Sequence, residues 1–278
     1  MFARMGTKVT LLCRSRLLPH EEPEISAALE DYLKAEGVDV VSGVAYKSIK
    51  RDAGICLEFE VGGENHQLKA EQVLVATGRK PNSSGLGLAE LGIEMHHNGG
   101  IKVDDRMLTS RDNIYAVGDV TGRDMFVYMA AYGAKIATKN AMDSNSFSYD
   151  NSAMPSVVFT DPQVANVGLT QAMAQASGIE TKTSVLMLDN VPRALAARDT
   201  RGLIKLVAEK QTGKLIGAHI LAPEGADSIQ TAAIAIKQGM TYAELGDTIF
   251  PYLTTVEGLK LAAQTFDKDV AKLSCCAG

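Results

Sequence analysis

The last residues of the chain include two adjacent thiols, Cys275 and Cys276, and their spacing limits what they can do. Neighbouring α-carbons lie about 3.8 Å apart across a trans peptide, whereas a relaxed disulfide needs about 4.4 Å or more. The pair is therefore better suited to presenting two thiols than to closing on itself. Because soft thiolates favour soft ions, the tail predicts a soft-metal site. The alternative is that the two cysteines have no function, since chain termini tolerate sequence changes.

Two arginines, Arg14 and Arg16, follow the first predicted strand. Dinucleotide folds that select NAD place an acidic residue near this position, where it holds the ribose 2′-hydroxyl. A guanidinium group instead matches a phosphate with a planar fork of donors. The arginines therefore favour a 2′-phosphate, and hence NADPH. Two solvated surface arginines are the alternative.

Two small-residue motifs are candidate cofactor sites. Thr77 and Gly78 end a predicted buried strand, and a turn of small residues there lets a ligand approach the backbone closely. Gly118 and Asp119 end a second predicted strand, at the sheet edge where open α/β folds bind ligands. Asp119 can accept hydrogen bonds from cofactor hydroxyls. A helix N-cap is the alternative for Asp119, since Asp is favoured at that position.

The composition favours a globular protein with more than one domain. Of 278 residues, 46% are apolar and 22% are charged, and the net charge is −5. These values and the lack of a basic stripe argue against a nucleic-acid partner. No apolar run approaches the roughly 20 residues that span a bilayer, so we expect no membrane insertion and a cytoplasmic location. Cys13 and Cys56 lie in strand-like runs and are expected to be buried thiols.

The elements that must position these residues fall into three stretches. Residues 1–80 predict the second half of a βαβ unit and an antiparallel meander: a helix end at 1–5 closed by Gly6, a strand at 8–13, a helix through 25–33 closed by Gly37, a strand at 38–41, the meander at 47–69 and a strand at 72–76. Residues 81–150 predict loops, a strand at 113–117, a helix at 129–142 and a polar linker from 143 to 152.

Residues 151–278 predict a different kind of unit. Strands and helices alternate there: strands at 156–159, 184–188, 203–209 and 214–222, helices near 170–177, 226–239 and 256–265, and a hairpin turn at 211–213. This order indicates an antiparallel sheet with helices on one face. The predicted fold class is therefore α/β followed by α+β.

The two cofactor motifs, in this order and roughly forty residues apart, resemble the FAD-binding signatures of the pyridine nucleotide-disulfide oxidoreductases. Residues 155–170 (PSVVFTDPQVANVGLT) resemble the start of that family's dimer-interface domain. The resemblance implies a homodimer that binds FAD through Thr77, Gly78, Gly118 and Asp119, with Asp119 on the ribityl chain. It also implies half of an NADPH-binding domain in residues 1–80, the end of an FAD-binding domain in 81–150 and a dimerisation domain in 151–278.

One departure from the family concerns its catalytic acid–base. Disulfide-reducing members carry a His-Pro-x-x-x-Glu signature in which the His exchanges protons with the substrate thiol. Aligned on Glu257, this chain has Tyr252 in place of that His. A phenol with a pKa near 10 cannot exchange protons at neutral pH as an imidazole does, so disulfide reduction is disfavoured. An ordinary interface aromatic is the alternative for Tyr252.

Tyr252 and the ending Cys-Cys-Ala-Gly together resemble the mercuric reductase branch of the family. In that branch the C-terminal cysteines capture Hg(II), and NADPH reduces it through FAD to Hg(0). The resemblance implies that Cys275 and Cys276 are metal ligands and catalytic, with Tyr252 near the metal. A non-catalytic dimeric metal-binding module and a truncated lipoamide dehydrogenase-like enzyme are the alternatives.

Three features of the family are not found in these 278 residues: the N-terminal glycine-rich FAD fingerprint, the redox pair Cys-x-x-x-x-Cys and the glycine-rich NADPH turn. We therefore expect the chain to be an N-terminally truncated fragment. The parent protein is expected to be the enzyme, and the isolated chain to be inactive.

Overall fold

The computed structural model describes residues 1–52, 54–143 and 146–270. The chain divides into two compact units: unit 1 combines Met1–Val73 with the chain from Ser152 onward, and unit 2 is Leu74–Asn151. Among the described residues, no helix combines the length and the apolar character that crossing a bilayer requires. The division into stretches ending at 80 and 150 stays a prediction.

The N-terminal part of unit 1 confirms the predicted half of a βαβ unit. A 3-10 turn, Ala3–Met5, ends at Gly6 in the left-handed region. The first strands and helix are β1 (Thr10–Leu12), α1 (Pro23–Ala35) and β2 (Asp39–Val41), and β1 pairs with β2 in parallel. The predicted meander follows as an antiparallel sheet in the order β3 (Ala45–Asp52), β4 (Gly54–Val61) and β5 (Glu64–Ala70).

The C-terminal part of unit 1 is an antiparallel sheet with the order β6-β7-β10-β9-β8. Its strands are β6 (Pro155–Val158), β7 (Gln163–Gly168), β8 (Thr181–Met187), β9 (Leu203–Glu209) and β10 (Leu215–Ala222). The sequence did not predict β7. The turn at 211–213 joins β9 to β10, as predicted.

The helices that follow in unit 1 are α3 (Gln171–Ala176), α4 (Pro192–Ala197), α5 (Gly225–Lys237), α6 (Tyr242–Asp247) and α7 (Glu257–Gln264). The sequence did not predict α4 and α6, which have six residues each and are too short to show a clear periodic apolar pattern; α3, of the same length, was predicted. Helix α2 lies in unit 2 and spans Val127–Met142.

Alternating side chains of this sheet face two different layers. One face contributes Ala165, Leu206 and Ile220 to a core shared with α5 and α7. The other face contributes apolar residues to a cluster with Ile25 and Leu29 of α1. The predicted helices α5 and α7 lie on one face of this sheet, and α1 from the N-terminal part covers the second face, which the sequence did not predict. A sheet buried on both sides needs mostly apolar residues at successive positions. All of Leu203 to Ala208 are buried, and Lys205 is the one polar residue among them.

Unit 2 has little regular structure besides α2 and a 3-10 helix, Gly118–Thr121. The strands predicted at 72–76 and 113–117 are wrong. Leu74 and Val75 are 82% and 72% exposed, and Tyr115 makes only an isolated bridge to Leu108. An apolar run becomes a strand only when another strand offers it a ladder of hydrogen bonds. Residues 114–116 make two backbone hydrogen bonds to residues 107–109, and none of the described strands pairs with residues 72–76.

Candidate functional site

The two predicted flavin motifs come together within unit 2. The Arg79 Nη1 atom lies 3.5 Å from Asp119 Oδ2, so the residue directly after Thr77 and Gly78 reaches the second motif across forty positions. Both ends of this ion pair are exposed, Asp119 to 46%. Exposed pairs contribute about 0–1 kcal/mol, so another hydrogen-bond donor can replace Arg79 at the carboxylate at little cost.

The Asp119 side chain does not cap a helix, which removes the N-cap alternative. The 3-10 helix that contains Asp119 has Val117 at its N-cap, and the next helix, α2, has Phe126. Neither N-cap residue makes a side-chain capping hydrogen bond. The N-terminus of α2 therefore has no side-chain cap at Phe126, and the positive end of a helix dipole favours electron-rich groups.

Gly118 lies where helix α2 comes close to the backbone of the second motif. Its φ is +73°, a region that side chains rarely adopt, and an added Cβ would lie 3.0 Å from the Cβ of Ala130. Gly78 also has a positive φ, +108°, but an added Cβ there would meet no atom within 4 Å, so the space beside it is open. A cofactor can therefore approach this small-residue surface, with the Asp119 carboxylate at its edge. The geometry fits a flavin nucleotide.

The predicted nucleotide-phosphate arginines have different surroundings in unit 1. Arg14 is exposed at the end of β1. Arg16 is half-buried, and its guanidinium donates to Ser26 Oγ at 2.6 Å and to the carbonyls of Glu21 at 2.6 Å and Pro19 at 3.0 Å. The Arg16 guanidinium therefore uses its donors to stabilise its own loop. Arg14 is the better candidate for a phosphate contact.

Tyr252 lies in the loop between α6 and α7, and its side chain is 60% exposed. The residue that follows, Leu253, has a φ of +66° and donates its N–H to Glu257 Oε2 at 3.0 Å. Glu257 is 2% exposed. A left-handed conformation in a branched residue costs free energy and persists only where its surroundings enforce it. In this chain Glu257 therefore fixes the backbone of the loop that presents Tyr252.

The predicted metal ligands, Cys275 and Cys276, lie outside the described residues. Within the described ranges, no group of three or more His, Cys, Asp or Glu side chains is placed to hold a metal ion. Cys13 and Cys56 are free thiols and half-buried, which is less buried than predicted. Burial, and then the negative charge of Glu30, raises the pKa of the Cys13 thiol.

Sequence reasoning missed a set of polar residues on the sheet face that α1 covers. Lys205 in β9 and His219 in β10 are 2% and 1% exposed, and both have acidic neighbours from the loop before α1. The available signal was a charged or titratable residue inside a strand that is otherwise apolar. Arg79 was also missed, although it directly follows the first flavin motif.

Two families match the chain. The family described as pyridine nucleotide-disulphide oxidoreductase matches residues 1–135, and its dimerisation domain matches residues 154–263. Among solved structures, the HOCl-induced flavoprotein disulfide reductase RclA from Escherichia coli is 29% identical, with a TM-score of 0.83 over 95% of this chain and 60% of that one. LpdA from Mycobacterium tuberculosis is 26% identical, with a TM-score of 0.85 over 96% and 58%.

The curated relatives are similar along the whole chain. The mercuric reductase of Streptomyces lividans is 47% identical over 279 aligned residues, and that of Acidithiobacillus ferrooxidans is 50% identical over 277. Both alignments cover 100% of this chain but only 59% and 50% of the relatives, so the chain spans little more than half of their length. The two matched families, the fold and the paired cofactor motifs agree: the chain belongs to the pyridine nucleotide-disulphide oxidoreductase family.

Proposed function

We propose that these residues are part of a mercuric reductase, a homodimeric enzyme that reduces Hg(II) to Hg(0) with electrons from NADPH through FAD. One observation carries the proposal: the similarity to curated mercuric reductases, at 47% and 50% identity, extends over the whole chain and so includes the cysteine tail. The proposed location is the cytoplasm, where NADPH is generated.

The residues of the chain supply binding and orientation for the cofactors. FAD, when bound, relays two electrons from the nicotinamide to the acceptor. Asp119 would accept hydrogen bonds from flavin hydroxyls, and Gly118 and Gly78 keep the nearby backbone free of side chains. Arg14 would bind the ribose 2′-phosphate and so favour NADPH over NADH.

The substrate Hg(II) would be captured by Cys275 and Cys276 as two thiolates, the ligand type that soft ions prefer. Exchange of the ion between thiol pairs needs no general base, which suits a site with Tyr252 where disulfide reductases have His. A lipoamide dehydrogenase-like activity is disfavoured for the same reason. Buried Glu257 already binds the backbone N–H of Leu253, and this bond holds the loop rather than an acid–base side chain.

A chimera tests the proposal. In it, this chain replaces the aligned 277 residues of the Acidithiobacillus ferrooxidans mercuric reductase. The chimera should oxidise NADPH in response to Hg(II). Changing both Cys275 and Cys276 to Ala should slow turnover by about ten-fold or more when Hg(II) is supplied as bulky thiol complexes, because direct ligands are lost. NADPH-dependent reduction of an artificial acceptor should survive.

Cys56→Ala is the matched control for this pair, since it removes a half-buried thiol elsewhere in unit 1. Unchanged Hg(II) turnover in the tail variant would contradict the role of the cysteines. A chimera that binds Hg(II) stoichiometrically but never oxidises NADPH would instead favour the non-catalytic metal-binding module.

Tyr252 has a separate test in the same chimera. If its phenol lies near the metal, Tyr252→Phe should lower the rate of Hg(II) reduction and leave the rate of flavin reduction by NADPH unchanged. Stopped-flow absorbance at the flavin band separates the two steps. Equal effects on both steps would assign Tyr252 a packing role.

A further inference from the structure

Three polar side chains lie side by side on the sheet face that α1 covers. His219 of β10 is the register partner of Asn166 on β7 and of Lys205 on β9, so the three form one row across adjacent strands. We call them the polar row; Lys205 and His219 are buried in it, and Asn166 is half-buried. Nearby strand residues on this face, among them Leu203 and Leu221, belong to the apolar cluster with α1. Polar groups are costly to bury in such surroundings unless they have partners.

The partners come from the end of the loop that precedes α1. Lys205 Nζ donates to Glu22 Oε2 at 2.9 Å, and Glu22, 1% exposed, also accepts from the Gln171 N–H at 2.6 Å. Asn166 Nδ2 donates to Glu21 Oε1 at 2.6 Å. Removing one partner from a buried ion pair leaves the other charge uncompensated. The row therefore fixes this end of the loop strongly.

Lys205 makes more hydrogen bonds to the loop than His219 does. Glu21 Oε2 and His219 Nδ1 are 4.0 Å apart, and both are buried without a hydrogen-bond partner among the described residues. Their interaction is therefore incomplete. Lys205, by contrast, donates to Glu22, to Glu24 at 2.8 Å and to Gln171 at 3.2 Å, which uses all three ammonium donors.

The other end of the same loop carries Arg14. The loop, residues 14–22, runs from the end of β1 to the start of α1. Arg16 ties its middle to the carbonyl of Glu21, and Leu17 packs into the cluster beneath α1. A displacement of Glu22 is thus transmitted through a short, hydrogen-bonded segment to Arg14.

We propose that Lys205 is a positioning residue for nucleotide selection: it holds the loop 14–22 through Glu22 and so sets the direction in which Arg14 faces the ribose 2′-phosphate. This proposal rests on the proposed use of NADPH. It assigns the five-stranded sheet β6–β10 a part in choosing the nucleotide, in addition to its place in the dimerisation domain.

Hydrogen–deuterium exchange on this chain gives a test that needs no cofactor. Lys205→Met should speed exchange of the loop amides at 14–22 by about ten-fold or more, since a buried charged contact of this kind changes local equilibria by at least that factor. The amides of β9 and β10 should keep their protection. Lys210→Met is the matched control, because Lys210 makes only an exposed pair with Glu180 at 3.4 Å.

Kinetics of the chimera give the second test. Lys205→Met should raise the KM for NADPH about ten-fold, with little change in kcat or in the KM for NADH, because only the phosphate contact is misplaced. Lys205→Arg, which keeps the charge, should restore part of the preference. Asn166→Ala removes a neutral anchor of the same loop and serves as a milder variant if Lys205→Met does not fold.

The outcomes separate this proposal from the proposed function. If loop exchange stays unchanged in both Lys205→Met and Asn166→Ala, the positioning role is wrong whatever nucleotide the enzyme uses. If the KM values for NADPH and NADH rise together, Lys205 serves only stability. If Arg14→Ala leaves the preference unchanged, the proposed phosphate contact fails, and the exchange result alone then decides whether Lys205 holds the loop.

Discussion

Gly118 shows how one residue can be set by two separate constraints. Its φ of +73° costs an L-residue about 1–2 kcal/mol, and an added Cβ would meet the Cβ of Ala130 at 3.0 Å. Gly92 in the same unit has a similar φ, +66°, and no atom within 4 Å of an added Cβ. A substitution at Gly92 therefore tests backbone strain alone, whereas one at Gly118 adds a steric contact.

We predict that Gly118→Ala lowers the free energy of unfolding of unit 2 by more than Gly92→Ala, which should lose about 1 kcal/mol from its backbone alone. Because the chain has no Trp, urea unfolding is best followed by circular dichroism. Equal losses at the two positions would show that the structure adjusts around Ala130.

The Cys13 thiol is predicted to react slowly. Burial and the Glu30 carboxylate raise its pKa, so less of it is thiolate at a given pH, and the thiolate is the reactive form. Iodoacetamide labelling near pH 8, read by mass spectrometry, should be slower at Cys13 in the folded chain than in urea. Glu30→Gln should speed it, since the nearby negative charge is lost. Equal rates in folded and unfolded chain would contradict the burial.

Several elements of unit 1 meet through a network of charges. Arg4, after the chain start, and Arg201, before β9, share the carboxylates of Glu36 and Asp161, and Arg201 also pairs with Asp199 at 2.7 Å. Hydrogen bonds from Arg4 hold the pKa values of Glu36 and Asp161 below their usual range, and Arg201 does the same for Asp199.

A lowered folded-state pKa means that the network stabilises the fold above the ordinary carboxyl range, near pH 4, and loses this effect as pH falls through the lowered values. Arg201→Met should therefore reduce the free energy of unfolding at pH 7 by about 1 kcal/mol. The difference from the unchanged chain should shrink as the pH falls below the ordinary carboxyl range and through the lowered pKa values. Urea unfolding at several pH values measures both. Lys210→Met, which removes one exposed pair, is the control; a pH-independent difference would assign the loss to packing.

At the scale of the whole molecule, the two units differ in the size of their cores. In unit 1, the cluster shared by the five-stranded sheet β6–β10, α5 and α7 is large and includes many residues that are almost fully buried. In unit 2 the described buried apolar residues are fewer: one cluster holds Ile93, Ile101 and Ala116, and further buried residues lie around α2 and the loop before it, namely Met107, Met129, Ile136, Ala137 and Tyr149. Local opening costs less where few apolar contacts are lost.

We therefore predict that amides of unit 2 exchange with deuterium through openings of lower free energy than amides of β9 and β10. Native-state exchange at rising urea concentration, resolved by peptide mass spectrometry, measures both sets in one sample. The β3–β5 meander, which belongs to unit 1 but lies outside its main core cluster, gives an internal comparison. A single common opening energy for all three regions would show that the chain unfolds as one cooperative body.

Local structure could be predicted from the sequence wherever it depends on residues that are close along the chain. Gly6 and Gly37 end their elements in left-handed conformations, as expected. The meander forms where the alternating, charged segments indicated it, and the β9–β10 hairpin forms where turn residues did. The flavin motifs were recognised from residue types and order. The interaction of Arg79 with Asp119 was not, because no local rule states which of several exposed charges will meet.

The sequence by itself determined the family motifs, the helix and strand elements with clear end signals, and the type of chemistry. These depend on short-range sterics and on residue identity. Only the tertiary structure decided that Lys205 meets Glu22, 183 positions away, that α1 covers the second face of the sheet, and that the apolar run at 72–76 forms no strand. Each of these depends on which distant surface is available for burial or hydrogen bonding, and a pattern along the chain does not contain that information.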